Sequence, residues 1–292
     1  MHSYLKAIGY SDIITQGDME NLIMDSLSHA DEKNESKITD NTINIEYIRY
    51  VSERVGVIIR GEQDLTGKFH FSHIAPFLRG IVESCKGEEI YINKKIEADA
   101  FTGMCDDVRL GVSMIFYIQN VADYYKFAST SKQNSMGTVH LAALAREGKV
   151  LLGTQNRVLS KVLNDKNDEA KHKLIEEARN GDQDAIQTLT LNDIDKYAII
   201  SERIKNEDVF SIVETSFVPF GSESDVYSVL CHILAARQQF NTETGEKIWI
   251  MDCVCNNVRL EICINAADLI GMPMPGMRFR GTIWLQGRIE FQ

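Results

Sequence analysis

The last stretch of the chain, residues 277–291, alternates between two kinds of side chain with a period of two. One phase is apolar or small: Met277, Phe279, Gly281, Ile283, Leu285, Gly287, Ile289 and Phe291. The other phase is polar except for one aromatic residue: Arg278, Arg280, Thr282, Trp284, Gln286, Arg288 and Glu290. Because successive side chains of a strand point to opposite faces, this pattern is typical of a half-buried β-strand. It predicts one long strand that closes a sheet, with its apolar face in the core.

The N-terminal stretch has a helical period instead. Its apolar residues recur at spacings of three and four: Met19, Leu22, Ile23 and Leu27. Thr15 and Asp18 form a capping pair ahead of them. Residues 31–40 are polar without a period, so we expect a surface connection there. Residues 1–42 are therefore predicted to be an N-terminal helical segment, and the β pattern begins after them.

Five short segments occur twice, in the same order and about 150 residues apart. The first copies begin at Ser52, Gly87, Cys105, Asn120 and Gly137, and the second copies begin at Ser201, Gly245, Cys255, Asn265 and Gly281. Five matches in one order favour an internal duplication over coincidence. They predict β-module one at 43–153 and β-module two at 196–292. Residues 139–147, rich in Ala and Leu, fit a helix as well as a closing strand.

Residues 154–195, between the two modules, carry three short apolar stripes at helical spacing. Gly181 followed by Asp182 is typical of a helix end and a new helix start, so this insert is predicted to be an αα-hairpin. Acidic residues crowd the predicted turn, which disfavours a DNA-binding helix-turn-helix because they would repel phosphate.

These elements together predict an α+β fold. It has the N-terminal helical segment, the helical insert and two tandem antiparallel β-modules related by duplication. A short helix before the last strand makes the modules similar to barrels, including the small Greek-key barrels of the OB type. A likeness at this level gives no function.

Composition narrows the classes of partner. The chain has 292 residues, 44% of them hydrophobic, and a formal net charge of -11. Such a charge repels nucleic acid and anionic membranes unless a separate basic patch exists. The first residues lack the pattern of a signal peptide, and no apolar run reaches 18 residues. We expect a soluble cytoplasmic protein that does not bind membranes and whose six cysteines are reduced.

Cysteine and histidine pairs are the candidate metal ligands of this sequence. Asn256 and Asn257 suit a two-residue hairpin turn. That turn would place Cys253 and Cys255 on a buried apolar face and Cys263 on the opposite face, where the three thiols cannot converge. His70 and His73 lie in a predicted strand, where a separation of three residues sends the rings to opposite faces. No metal site, and no nucleotide or acyl-transfer motif that would imply a cofactor, is predicted.

The polar face of the final strand is the candidate binding site. Arg278, Arg280, Trp284 and Arg288 share that face and could clamp or stack on an anionic or aromatic partner. The favoured alternative is an outer sheet face that arginine stems cover, with Trp284 under the helical insert or the first module.

Several segments resemble an uncharacterised bacterial family of unknown function, family 3881. These segments span the chain: residues 1–9, 191–195, 207–214, 225–229 and 278–287. The resemblance implies a bacterial, cytoplasmic protein and supplies no catalytic residues.

Three classes of function therefore stay open. The first is a non-catalytic scaffold or binding protein with an unknown protein or small-molecule partner. The second is a nucleic-acid-binding protein that uses the Arg/Trp face. The third is an enzyme whose residues meet only in the fold, for example His140, His232 or acidic side chains. The absence of a catalytic motif in the sequence favours the first class.

Overall fold

A computed structural model describes residues 4–39, 41–94, 100–107, 112–130, 135–152, 177–178, 182–188 and 213–291. The chain forms two compact units, one built from Met1–Leu151 with Ser216–Gln292 and the other from Leu152–Thr215. Most of the predicted insert, 154–195, lies outside the described residues. Within it, Asp182 accepts hydrogen bonds from the backbone N–H groups of Asp184 and Ala185, at the start of a helical segment at 183–188. The αα-hairpin and the predicted domain boundaries stay predictions.

The N-terminal helices form as the sequence predicts. A 3-10 helix covers Leu5–Ile8, and helix α1 covers Gln16–Ser28. Thr15 caps α1 through a full capping box: its hydroxyl accepts from the backbone N–H of Asp18 (3.2 Å), and the Asp18 carboxylate accepts from that of Thr15 (2.8 Å).

The first sheet is a four-stranded antiparallel meander: β1 Glu32–Thr39, β2 Thr42–Ser52, β3 Val55–Gln63 and β4 Phe69–Leu78. The prediction of a connection at 31–40 is wrong, because β1 pairs with β2 along most of its length. β1 is an edge strand with polar side chains on both faces, so its sequence lacks the apolar alternation that reveals a strand.

The second sheet contains the remaining strands. They are β5 Glu83–Lys94, β6 Phe101–Asp107, β7 Val112–Ile118, β8 Ser135–Leu151, β9 Ser216–Pro219, β10 Val226–Phe240, β11 Lys247–Cys255, β12 Val258–Asn265, β13 Leu269–Ile270 and β14 Arg278–Phe291. Helix α2 covers Val121–Thr130 between β7 and β8, and a 3-10 helix covers Ala266–Asp268 after β12. The described chain is thus mostly β with few helices, so the predicted α+β class gave the helices too much weight.

Two long strands, β8 and β14, organise this sheet. They pair antiparallel from Gly137 opposite Phe291 to Leu151 opposite Arg278. The other edge of β14 pairs with β10 along one half and with β7 near Gln286 and Gly287. The other edge of β8 pairs with β5 along one half and with β12 along the other. β6 pairs with both β5 and β7, so β8, β5, β6, β7 and β14 form one closed cycle of paired strands. β11 pairs with both β10 and β12, so β14, β10, β11, β12 and β8 form a second cycle. The two cycles use different halves of the ribbon that β8 and β14 form.

The faces of this ribbon belong to two cores. The apolar face of β14 is buried as predicted, with Phe279, Ile283, Leu285 and Ile289 in the core that the two strand cycles share. The opposite face contributes Ala142, Leu144 and Trp284 to a second core, against the first sheet and the N-terminal helices. Residues 139–147, whose sequence fits a helix as well as a strand, lie in β8.

The predicted cysteine hairpin is confirmed. Asn256 and Asn257 have φ values of 46° and 67°, as a type I′ turn requires. Cys255 pairs with Val258, Cys253 with Leu260, and Ile250 with Cys263. Cys253 and Cys255 lie in the shared core and Cys263 in the second core, so the thiols do not converge.

Gln286 joins the centre of the ribbon to the first sheet, and it is fully buried. Its Nε2 donates to the carbonyl of Pro76 (2.8 Å), and its Oε1 accepts from Nε2 of Gln119 (2.9 Å). The substitution Gln286→Leu removes both hydrogen bonds in a buried setting, at about 1–3 kcal/mol for each bond lost, although Gln119 keeps its hydrogen bond to the carbonyl of Leu78. We predict a loss of about 2–4 kcal/mol in unfolding free energy, measured by urea denaturation.

The exposed Gln238 on β10 offers a control, since Gln238→Leu should change the unfolding free energy by less than about 0.5 kcal/mol. Equal stabilities for the two variants would show that Gln286 does not hold the sheets together.

Candidate functional site

A charged cavity of about 220 Å³ lies beside the first sheet. It is lined by Glu32, Asn34, Glu46, Ile48, Ile58, Phe77, Arg79, Gln119, Asn120, Asp123 and Arg288. The first sheet and the residue after it supply seven of these, and the rest come from the start of α2 and from β14. Strand alternation explains the contribution of β2, because Glu46 and Ile48 are two residues apart and share a face.

One wall of the cavity is apolar. Ile48, Ile58 and Phe77 form a small buried cluster of their own, each no more than 5% exposed. These three side chains come from adjacent strands of the meander, and Ile48 and Ile58 are direct cross-strand neighbours. The cavity therefore offers an apolar surface next to its charged groups.

Glu46 and Arg60 form a buried ion pair behind the cavity. They are cross-strand neighbours on β2 and β3, and Nε of Arg60 donates to Glu46 Oε1 at 2.7 Å. The guanidinium also donates to the hydroxyl of Tyr117 (2.7 Å) and to the carbonyls of Ile118 (2.9 Å) and Gln119 (2.7 Å). This group fastens the first sheet to the end of β7.

Burial controls the protonation of this group. It raises the pKa of Glu46 above its ordinary value, although the charge and hydrogen bond of Arg60 oppose the shift. Burial alone would lower the pKa of Arg60, but Tyr117 and Glu46 together raise it, so the guanidinium stays charged. Burial also raises the pKa of Tyr117 to about 12, which keeps its hydroxyl neutral.

Glu32 and Arg79 form a second ion pair at the cavity. Two guanidinium nitrogens of Arg79 donate to the two carboxylate oxygens of Glu32, at 3.2 and 3.1 Å, and the Tyr50 hydroxyl donates to Glu32 at 2.8 Å. Burial opposes ionisation of Glu32, but these hydrogen bonds hold its pKa below the ordinary value. Both charges of this pair are therefore satisfied within the protein.

Asn120 fixes the start of α2 against β14. Its Nδ2 donates to Asp123 Oδ2 (3.0 Å) and to the carbonyl of Ile289 (2.8 Å), and its Oδ1 accepts from the backbone N–H of Ile289 (3.0 Å). This clamp brings Asp123 of α2 to the same cavity as Arg288 of β14.

The predicted binding face is divided by the fold. Trp284 is only 5% exposed: its ring stacks on Tyr4 at 5.4 Å between centroids, and its Nε1 donates to Asp225 at 3.1 Å. Arg278 is also buried, Arg280 is exposed, and Arg288 lines the cavity. The structure thus brings Arg288 to a concave site without the other three. A binding role for the four-residue face stays a prediction.

The histidines that the sequence singles out lie elsewhere. Nε2 of His70 contacts Asp64 at 2.9 Å, and Nε2 of His73 contacts the Tyr117 hydroxyl at 3.0 Å. His140, on β8, has Nε2 3.4 Å from Glu290, and His232 lies on β10. Within the described ranges, no group of three or more His, Cys, Asp or Glu side chains could hold a metal ion.

Sequence reasoning missed Glu46, Arg60, Arg79 and Asp123. A signal existed for the first two, because each is a charged residue inside an apolar strand, and such a residue needs a buried partner. Arg79 and Asp123 follow ordinary surface patterns, so their role is visible only in the fold.

Comparison with known proteins adds a family. A family model described as "Domain of unknown function, E. rectale Gene description (DUF3881)" matches residues 5–287. The chain belongs to this family. No curated protein and no solved structure matches the chain. The family has no assigned function, so the geometry of the cavity carries the functional argument. Among the described residues, we find no helix with the length and apolar character needed to span a membrane.

The buried ion pair yields a pH-dependent prediction. The substitution Arg60→Met leaves Glu46 buried without its cation, which costs about 3–5 kcal/mol in unfolding free energy at neutral pH. Because burial raises the pKa of Glu46, its contribution to stability is full below its ordinary value of 4.5 and is lost as pH rises through the folded value. We predict that urea unfolding of this variant shows stability falling from pH 5 to pH 8.

The double variant Arg60→Met with Glu46→Gln is the control, because it lacks the titrating carboxyl and should lose most of this slope. An equal slope in both variants would assign the pH dependence to another group.

Proposed function

We propose that this protein is a non-catalytic binding protein that holds a small polar molecule in the cavity at the first sheet. The cavity itself carries the proposal, since it combines two guanidinium groups, three carboxylates and an apolar wall in about 220 Å³. Concave sites with an apolar surface and a few polar groups are the usual form of small-molecule sites.

The state of the charged groups supports binding over catalysis. A general acid or base must exchange a proton with the bound molecule. Glu46 is instead held by Arg60 and by the backbone N–H of Ala122, and Glu32 is held by Arg79 and Tyr50. Arg60 and Arg79 are engaged in the same pairs, so these four groups shape the site without serving as proton donors or acceptors.

A duplicated, barrel-like architecture is part of the proposal. β7 runs parallel to β14 with Tyr117 opposite Gln286, and β12 runs parallel to β8 with Glu261 opposite Ala142. Ala142 and Gln286 also face each other, as a twofold relation between the halves requires. The repeats at Cys105 and Cys255, at Asn120 and Asn265, and at Gly137 and Gly281 fit this relation. The repeat at Gly87 and Gly245 does not, since these residues lie in β5 and before β11, and residue 201 lies outside the described residues.

The setting of this function is proposed from the sequence. Resemblance to a bacterial family and the net charge of -11 support a bacterial cytoplasmic protein whose partner is neither membrane nor nucleic acid. The nucleic-acid alternative loses its stacking residue in this fold, because the ring of Trp284 is packed against Tyr4 and Tyr117.

Filling the cavity tests this function. Asn34 lies on β1 and lines the cavity, so the substitution Asn34→Trp should occupy the space that the ligand needs. Some polar metabolites should raise the melting temperature of the wild type. We predict that the same metabolites do not change the melting temperature of the Asn34→Trp variant. A ligand at 100 times its dissociation constant adds about 2.7 kcal/mol of stability, which a thermal-shift assay detects.

Glu35 is the matched control, because it is the next residue of β1 and points to the opposite, exposed face. Glu35→Trp should keep the ligand response of the wild type. The proposal fails if the wild type responds to no polar metabolite, or if the response survives in the Asn34→Trp variant.

A further inference from the structure

Asp123 and Arg288 are the two charges of the cavity with the weakest partners inside the protein. The nearest Glu290 oxygen lies 3.5 Å from Arg288 Nη1, and that carboxylate is 55% exposed. Asp123 Oδ2 accepts a hydrogen bond at 3.0 Å from the uncharged amide of Asn120, and the ion-pair partner of Asp123, Lys126, has its Nζ 4.0 Å from Oδ1. By contrast, Glu32 with Arg79 and Glu46 with Arg60 are joined by hydrogen bonds of 2.7 to 3.2 Å. A ligand therefore meets one carboxylate and one guanidinium that are still able to bind it.

These two groups have opposite charge, and different elements hold them at one cavity. Asp123 lies in the first turn of α2 and Arg288 near the end of β14, and the Asn120 clamp ties the two elements together. A ligand with a single charge would pair with one of the groups and leave the other with only the weak partner that it has inside the protein. A ligand with one positive and one negative group satisfies both.

The positive group of the ligand belongs at the Asp123 end. Asp123 carries a negative charge there, and Glu46 lies close enough for the two carboxylates to influence each other, although Arg60 offsets the charge of Glu46. This end therefore attracts a cation, while the Arg288 end attracts a carboxylate, which a guanidinium binds through two parallel hydrogen bonds.

The size of the cavity and its apolar wall narrow the class of ligand further. Drug-sized ligands occupy pockets of roughly 300–1,000 Å³, and a cavity of about 220 Å³ takes a smaller molecule. Ile48, Ile58 and Phe77 offer an apolar surface for an uncharged side chain.

On the basis of the proposed function, we infer that the ligand is a free α-amino acid with an apolar side chain. Arg288 binds its carboxylate, Asp123 binds its ammonium group, and the side chain packs against Ile48, Ile58 and Phe77. The volume of the cavity favours a single amino acid over a peptide. The opposite charges of Asp123 and Arg288 favour an amino acid over a simple amine or a simple acid, because each of those carries only one charge.

The test uses isothermal titration calorimetry on the full chain with L-leucine, L-leucinamide and N-acetyl-L-leucine. Leucinamide lacks the carboxylate, and N-acetyl-leucine lacks the ammonium group. Each analogue should bind about 10- to 100-fold more weakly than leucine, because each loses a charge-assisted hydrogen bond. Arg288→Gln should weaken the binding of leucine by a similar factor but should change the affinity for leucinamide little. Asp123→Asn should weaken the binding of leucine but should change the affinity for N-acetyl-leucine little.

Arg259→Gln is the control variant, because Arg259 is also a half-exposed strand arginine with a carboxylate partner, Asp252, and lies outside the cavity lining. It should bind leucine as the wild type does. The inference is overturned if leucine does not bind, or if its affinity is unchanged in both Arg288→Gln and Asp123→Asn.

The two proposals fail separately. If another metabolite binds and Asn34→Trp blocks it while leucine does not bind, the binding function stands and the amino-acid class is wrong. If Asn34→Trp blocks the binding of no ligand, the cavity is not the binding site and the proposed function is wrong.

Discussion

Arg60 lies where the first sheet meets the end of β7, and its guanidinium needs acceptors there because the residue is 2% exposed. The acceptors are Glu46, the Tyr117 hydroxyl and two backbone carbonyls, which come from both sheets. The contacts of Arg60 thus fix the first sheet against the second and hold Glu46 beside the first turn of α2. The cavity lies at this junction, and Glu46 and Gln119, which both bind Arg60, are part of its lining.

The second sheet provides the frame for this junction. β8 and β14 form a ribbon that both strand cycles share, and Gln286 at its centre bonds to the first sheet. Arg288 follows two residues later on the same face of β14, so the strand that organises the sheet also supplies a charge to the cavity. The candidate site and the architecture therefore depend on one element.

Local patterns in the sequence predicted much of the second sheet. The alternation at 277–291 predicted β14 and its buried face, and Asn256 with Asn257 predicted the hairpin register of β11 and β12. β1 could not be predicted from the apolar pattern, because a polar edge strand has no apolar period. The site could not be predicted, since its residues come from three separate parts of the chain, 32–79, 119–123 and 288, and only the pairing of strands and the Asn120 clamp bring them together.

The four-residue face illustrates the limit of pattern reasoning. Period two correctly places Arg278, Arg280, Trp284 and Arg288 on one side of β14. It does not tell what covers that side. Tyr4 and Tyr117 cover Trp284, while Arg288 reaches a cavity, so neighbours on one strand have different environments. The most direct test of the account is an experimental structure of the protein soaked with L-leucine. The account predicts leucine in the cavity, with its carboxylate on Arg288 and its ammonium on Asp123. Leucine bound elsewhere, with the cavity holding only water, would contradict it.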